Sequence, residues 1–266
     1  MSHSTLFALL IAVPAVMTVA AALVLARDGQ GSMFKRVFMA FWYRYVRALN
    51  LLAPSIRVGG KRLVVFPDVY KPLENEHACI DYCREGDRVL DLGCGSGVST
   101  VFCAGKASQV HAVDISGSAV RNTEENCRLH GLTNVAVAQS DMFSNVEGRF
   151  DLILANPPYI ALDFKGEQEQ FATSVRFLPV LFGEVREHLT PEGRLLVQFP
   201  LWFKGRLQRL AADHGLELVS VRRTPLKGPG LFLLSLLYMQ VGFRSAFYLF
   251  RVRPEPAEAQ GLPRAA

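Results

Sequence analysis

From Arg88 to Arg251 the chain alternates short apolar runs with longer segments of helical spacing, and this alternation limits its possible folds more than any other feature. Short runs rich in Val, Leu and Ile between turn signals read as buried strands, and the helical stretches between them as crossovers. Strands are expected over Arg88–Leu92, Val110–Asp114, Val135–Gln139, Phe150–Ala155, Gly193–Phe199, Leu216–Arg222 and Ala246–Arg251. Helices are expected over Val98–Gly105, Ser118–His130, Phe171–Leu189 and Trp202–His214. Crossovers of that length join parallel strands and cover both faces of the sheet. A hairpin about Gly59-Gly60 precedes them, so an α/β domain of seven mostly parallel strands is expected over residues 55–253.

The N-terminal region has a different character. Thr5–Ala26 is a run of 22 residues without a charge, long enough as a helix to cross a bilayer core. A cleaved signal peptide is the competing reading. No Lys or Arg precedes the run, however, and it exceeds the apolar core of such peptides. Basic residues follow instead, from Arg27 to Arg47, which predicts an N-terminal transmembrane helix over 1–30 with the folded domain in the cytoplasm. Residues 31–54 form an amphipathic helical linker in this reading. Phe34, Val37, Phe38, Phe41, Val46 and Leu49 make its apolar stripe, and Lys35, Arg36, Arg44 and Arg47 its basic face. Such a helix can lie along a membrane or pack on the domain. The apolar stretch 224–243 is too short to span and reads as core, lid or second membrane contact, and 254–266 as a disordered tail.

Composition excludes some classes. A net charge of +5 does not by itself imply a nucleic-acid partner. The five cysteines are odd in number and lack CxxC spacing, so they read as buried reduced thiols, and no metal is expected.

The chemistry concentrates after the strands. Asp91-Leu92-Gly93-Cys94-Gly95-Ser96-Gly97 joins the first core strand to a helix, with glycines at alternate positions that permit a tight turn and close ligand approach. Asp114 ends the next strand, where a carboxylate can accept from both hydroxyls of a ribose, with Ile115 beside it. Asp141 and Met142 follow the third strand, placed to hold the edge of a base. Asn156-Pro157-Pro158-Tyr159 leaves the fourth. Its prolines stiffen the backbone, its Asn oxygen and Pro157 carbonyl make a pair of acceptors for a planar –NH2, and Tyr159 offers a ring for stacking.

On these pieces, VLDLGCGSG (89–97), AVDIS (112–116), SDMF (140–143) and DLILANPPYI (151–160), the chain resembles the class I S-adenosylmethionine-dependent methyltransferases. More narrowly it is similar to the NPPY branch, which includes release-factor glutamine N5-methyltransferases and nucleic-acid N-methyltransferases. The resemblance implies a Rossmann-like sheet and S-adenosyl-L-methionine as cofactor, held by Asp91, Gly93, Cys94, Gly95, Gly97, Asp114, Ile115, Asp141, Met142 and Asn156. It implies catalysis by Asn156, Pro157 and Tyr159, with Pro158 joining them in binding the substrate. Asp68–Asn75 is similar to the V-Y-x-P-x-E-D segment of the release-factor branch, with Asn75 in place of the acid, which puts Tyr70, Pro72 and Glu74 at the pocket. The expected activity is N-methylation of a protein glutamine or a nucleobase. A small-molecule or lipid-associated acceptor and a non-catalytic membrane-bound module are the alternatives. The anchor and the 224–243 stretch are atypical of the branch and favour a hydrophobic acceptor.

Overall fold

The computed structural model describes residues 33–159, 174–238 and 245–254. The expected anchor over 1–30, and all but the first residue of the expected tail over 254–266, lie outside the described residues.

The chain runs from helix α1 (Met33–Leu52) into a hairpin, β1 (Ser55–Val58) and β2 (Lys61–Val64). Its two-residue turn needs both φ angles positive, and Gly59 (51°) and Gly60 (82°) supply them. A 3₁₀ helix over Glu76–Tyr82 precedes the main sheet. Then follow β3 (Arg88–Leu92), α2 (Val98–Cys103), β4 (Gln109–Asp114), α3 (Gly117–Leu129), β5 (Val135–Gln139) and β6 (Phe150–Ala155). After these come α4 (Phe177–Glu184), β7 (Leu189–Pro200), α5 (Lys204–Asp213), β8 (Leu216–Arg223), α6 (Pro229–Leu237) and β9 (Ser245–Val252).

The seven strands order as β5-β4-β3-β6-β7-β9-β8, parallel except for β9, which runs antiparallel to both neighbours. The fold is therefore Rossmann-like α/β, as expected. Side chains alternate across the sheet. Leu90, Leu92, Ile153, Leu195 and Val197 pack with α4 and α5 residues such as Phe182 and Leu207, while Val89, Leu152, Leu154 and Leu196 pack with Cys79 and Cys103. A sheet buried on both faces accounts for the continuous apolar runs. After β5 the chain returns to the far side of β3 to lay down β6, so its direction reverses between β3 and β6. Ligands bind beyond the carboxyl ends of strands at such a point.

Several boundaries differ from expectation. The helix expected over Phe171–Leu189 is α4 with a 3₁₀ turn over Val185–His188, residues 171–173 lying outside the described residues. Strand β7 starts four residues early because it takes in a bulge opposite Phe150. There Gly193 leaves no room for a Cβ, which would sit 2.9 Å from backbone atoms of Phe150 and Thr190. The helix expected from Trp202 begins as the 3₁₀ turn Leu201–Phe203.

Helix α1 is more than a linker. Met39, Trp42 and Val46 repeat at helical spacing and are buried against Leu63, Val65, Val69, Val101 and Tyr238. Trp42 Nε1 donates to the Tyr238 carbonyl at 3.1 Å, and the fully buried Asn50 donates to the Val69 carbonyl and accepts from the Tyr238 hydroxyl, both at 2.9 Å. The hairpin is fastened the same way. Asn126 on α3 accepts from Val64 N–H and donates to its carbonyl, both at 2.8 Å, and also donates to the Ser96 carbonyl. In the stretch 224–243, α6 is half core: Leu231, Leu234 and Leu237 pack inward, whereas Phe232 and Leu233 face solvent. Among the described residues no helix is long and apolar enough to cross a membrane, and no group of His, Cys, Asp and Glu is placed to hold a metal. All five cysteines are free and buried.

Because α1 is fixed through Trp42, Trp42→Ala is expected to lower stability by about 3–5 kcal/mol, the range for large aromatic truncations in a core. Denaturant unfolding checks this, and a loss below about 1 kcal/mol would mean that α1 is not part of the cooperative unit.

Candidate active site

The carboxyl ends of β3, β4 and β6 open into a cavity of about 270 Å³. The glycine loop forms its floor. Gly93 and Cys94 both donate N–H to the Val113 carbonyl, at 2.8 and 3.0 Å, which holds the loop against the end of β4. Gly93, Gly95 and Gly97 all have positive φ, from 55° to 79°, a region costly for residues with a Cβ. They need glycine for different reasons. A Cβ on Gly97 would collide with Thr123 at 2.9–3.1 Å, whereas one on Gly95 would meet nothing within 4 Å. Gly95 therefore leaves ligand space open. Gly97 lets α3 pack against the loop, and it is not among the residues that line the cavity.

Asp91 is buried and accepts from the Thr100 N–H (3.0 Å) and hydroxyl (2.6 Å), tying β3 to α2. Burial is the main reason that its pKa rises to about 6, against the lowering effect of the Thr100 hydrogen bonds. Asp114 accepts from Gly95 N–H through one oxygen (3.0 Å) and from Ser116 N–H through the other (2.9 Å). The Ile115 N–H also acts on this carboxylate, which keeps acceptor capacity for a further donor. Ile115, Asp141 and Met142 line the cavity as expected, and Asp141 pairs with Arg176 at 3.4 Å on the exposed rim. Met142 has φ 52°, an uncommon left-handed conformation that suggests a positional demand.

The opposite wall is Asn156, Pro157, Pro158 and Tyr159. Tyr159 donates its hydroxyl to Asn156 Oδ1 at 3.0 Å and bonds with the Tyr70 hydroxyl, and its ring stands edge-on to Phe199. The tyrosine expected as a stacking platform is thus also an orienting group for Asn156. Burial raises the pKa of both tyrosines well above the ordinary value, so they stay protonated donors.

Tyr70 and Pro72 line the cavity, but Glu74 does not. It is buried behind them, bonded to Lys227 Nζ (2.5 Å) and Ser245 Oγ (3.2 Å). Sequence reading missed Glu76, Arg176 and Phe177, which also line the cavity. Arg176 and Phe177 fall inside the helix expected over Phe171–Leu189, where no motif marks them, and Glu76 lies beyond the recognisable Asp68–Asn75 segment.

A sheet of this order, with a glycine loop, a strand-end acid and a rigid Asn-Pro-Pro-Tyr turn around one cavity, defines a Rossmann-like α/β domain with its candidate site at the strand ends. Residues 78–199 match the family model described as "Methyltransferase small domain". A putative protein N5-glutamine methyltransferase of Methanocaldococcus jannaschii is 37% identical over 108 residues, covering 40% of this chain and 54% of that protein. A ribosomal RNA small subunit methyltransferase C of Alcanivorax borkumensis is 32% identical over 121 residues, covering 42% and 37%. The chain thus spans about half, or less, of these curated relatives. The crystal structure of a methyltransferase from Pyrococcus furiosus superposes with a TM-score of 0.54 at 19% identity over 78% of this chain and 96% of that one, a likeness of fold.

The two glycines should separate by experiment. Gly97→Ala is expected to destabilise the fold by more than about 1 kcal/mol through the Thr123 clash and its positive φ. Gly95→Ala should fold with a smaller loss but bind S-adenosylhomocysteine at least ten-fold more weakly by calorimetry. Equal affinity for the Gly95 variant and wild type would remove that glycine from the binding surface.

Proposed function

We propose that the chain is an S-adenosylmethionine-dependent N-methyltransferase whose acceptor presents a planar amide or amine nitrogen, on a protein glutamine or a nucleobase. The observation that carries this reading is that the Asn156–Tyr159 turn and the glycine loop face one cavity, so acceptor and donor could meet. The residues suit the cofactor: Gly95 leaves clear space beside the loop, and Asp114 retains acceptor capacity at the end of β4. When bound, S-adenosylmethionine supplies an electrophilic methyl on a sulfonium. Asp114 would hold the ribose and Asp141 with Met142 the adenine. Asn156 Oδ1, already oriented by Tyr159, would use its second lone pair together with the Pro157 carbonyl to accept from the acceptor –NH2. Those bonds favour a pyramidal nitrogen with its lone pair free for attack, and they are strongest in the transition state. The printed names of the two curated relatives, a glutamine N5-methyltransferase and a ribosomal RNA methyltransferase, agree with a nitrogen-rich macromolecular acceptor.

In this proposal the apolar run Thr5–Ala26 anchors the protein and leaves the domain, residues 55–253, in the cytoplasm. Support comes from the outer surfaces of α1 and of the segment around α6. Met33, Val37, Phe41, Leu51, Leu52, Leu226, Phe232 and Leu233 are exposed there, a concentration of apolar side chains that soluble surfaces seldom carry. The same observation favours a lipid-associated acceptor as the second reading.

With full-length protein in detergent, labelled cofactor and fractionated lysate, label should enter protein or RNA. Asn156→Ala should reduce it about a hundred-fold, as misplacing a reacting group does. Label confined to the organic phase would favour the second reading, and equal labelling by the two proteins would discard the role of Asn156. Separately, the full-length protein should sediment with membranes and resist a salt wash. Recovery as a shortened secreted form would show the N-terminal run to be a signal peptide.

A further inference from the structure

Glu76 is a buried carboxylate for which neither the fold nor the glycine loop has a use. It is 2% exposed, yet it lines the same cavity as Asn156, Pro157 and Tyr159. Its Oε2 accepts from the Glu74 N–H at 3.0 Å. Its Oε1 is buried and has no hydrogen-bond partner among the described residues. An unsatisfied buried carboxylate oxygen is costly, and a group of this kind in a cleft points to a missing ligand donor. The backbone supports a positional demand. Asn75 holds the left-handed conformation (φ 56°), which directs the chain into the 3₁₀ helix, and its Nδ2 donates to the Pro225 carbonyl at 2.9 Å. A non-glycine residue at positive φ costs of order 1 kcal/mol and persists where the surroundings over-determine it.

We propose that Glu76 is the proton acceptor of the methyl transfer, with Oε1 receiving a hydrogen bond from the acceptor nitrogen. The inference rests on the N-methyltransferase reading. Once the new N–C bond has formed and the S–C bond has broken with its electron pair left on sulfur, the nitrogen carries one proton too many. Glu76 takes that proton, leaving a neutral methylated nitrogen, and later returns it to solvent. The charged and titratable groups around Glu76 suit this task. Glu74 repels its charge, Lys227 attracts it but is engaged with Glu74, and the Tyr70 and Tyr159 hydroxyls stay neutral. Burial, the largest influence, raises the pKa of Glu76 to about 8, high for a carboxylate and close to the optimum for a base working near neutrality.

The sign of the pH dependence follows. A base must be deprotonated, so the wild-type rate should rise with pH up to about 8 and then level off. Stability should run the other way. Between the ordinary carboxylate range and about 8 the folded state keeps a proton that the unfolded chain has lost, so stability falls as pH rises through that window.

The test compares full-length wild type, Glu76→Gln and Glu76→Asp in detergent, using labelled S-adenosylmethionine and a lysate fraction that wild type methylates. Glu76→Gln should bind S-adenosylhomocysteine within two-fold of wild type, transfer label about a hundred-fold more slowly and lose the rising limb of the pH profile. Its thermal midpoint should also fall less between pH 5 and 8 than that of wild type, a readout independent of turnover. Glu76→Asp should keep the limb at a reduced rate. A Gln variant with wild-type rate and profile would overturn the proposal, as would one that loses S-adenosylhomocysteine affinity, since Glu76 would then serve the cofactor. Wild-type protein that labels nothing would instead bring down the methyltransferase reading, and this role with it.

Discussion

The paired hydrogen bonds from Thr100 to Asp91 hold the rest of the site in place. One carboxylate oxygen takes both the N–H and the hydroxyl of Thr100, so the end of β3 and the first turn of α2 cannot separate without exposing a buried acid. Breaking one partner of such a buried pair leaves the other unsatisfied, which costs more than the bond itself contributes. The loop between them is then fixed at a second point by Asp114, through Gly95, and at a third by Asn126, through Ser96. Three elements thus converge on seven residues, and the cavity floor is rigid before any ligand arrives.

Much of this was legible because it rests on local chemistry. The strands of the sheet emerged from apolar runs, since burial on both faces requires them. The glycine loop and the Asn156–Tyr159 turn were visible because positive φ and proline rigidity restrict which residues can stand there. What sequence could not give was division of labour within a motif. Gly95 and Gly97 look alike in a pattern, but only the neighbouring Thr123 makes one a packing residue. Glu74 was expected at the pocket and Glu76 was not, and the reverse placement depends on Lys227 and Ser245, which reach Glu74 from more than 150 residues away. The docking of α1 was equally hidden: its apolar stripe suits a membrane or a domain, and the choice falls to Asn50 and Tyr238 meeting in space.

The walls of the cavity show where local rules are broken. Asn75 and Met142, the non-glycine residues with positive φ among the described residues, each adjoin a residue that lines it, Glu76 and Asp141. Strain at residues that adjoin the cavity lining is in keeping with preorganisation of the site.

A second layer joins the peripheral helices to the cavity wall that carries Tyr70, Pro72 and Glu76. Lys71 donates to the Ala53 carbonyl at the end of α1 and to the Tyr238 hydroxyl at the end of α6, and that hydroxyl donates onward to Asn50. Three residues further along the same segment, Glu74 is neutralised by Lys227, just before α6. A buried ion pair of this kind adds little net stability, because desolvation offsets most of its attraction, but removing either partner is severe. Its effect is geometric. The strip carrying Tyr70, Pro72 and Glu76 along the cavity is clamped from behind by the two helices with the most apolar outer faces.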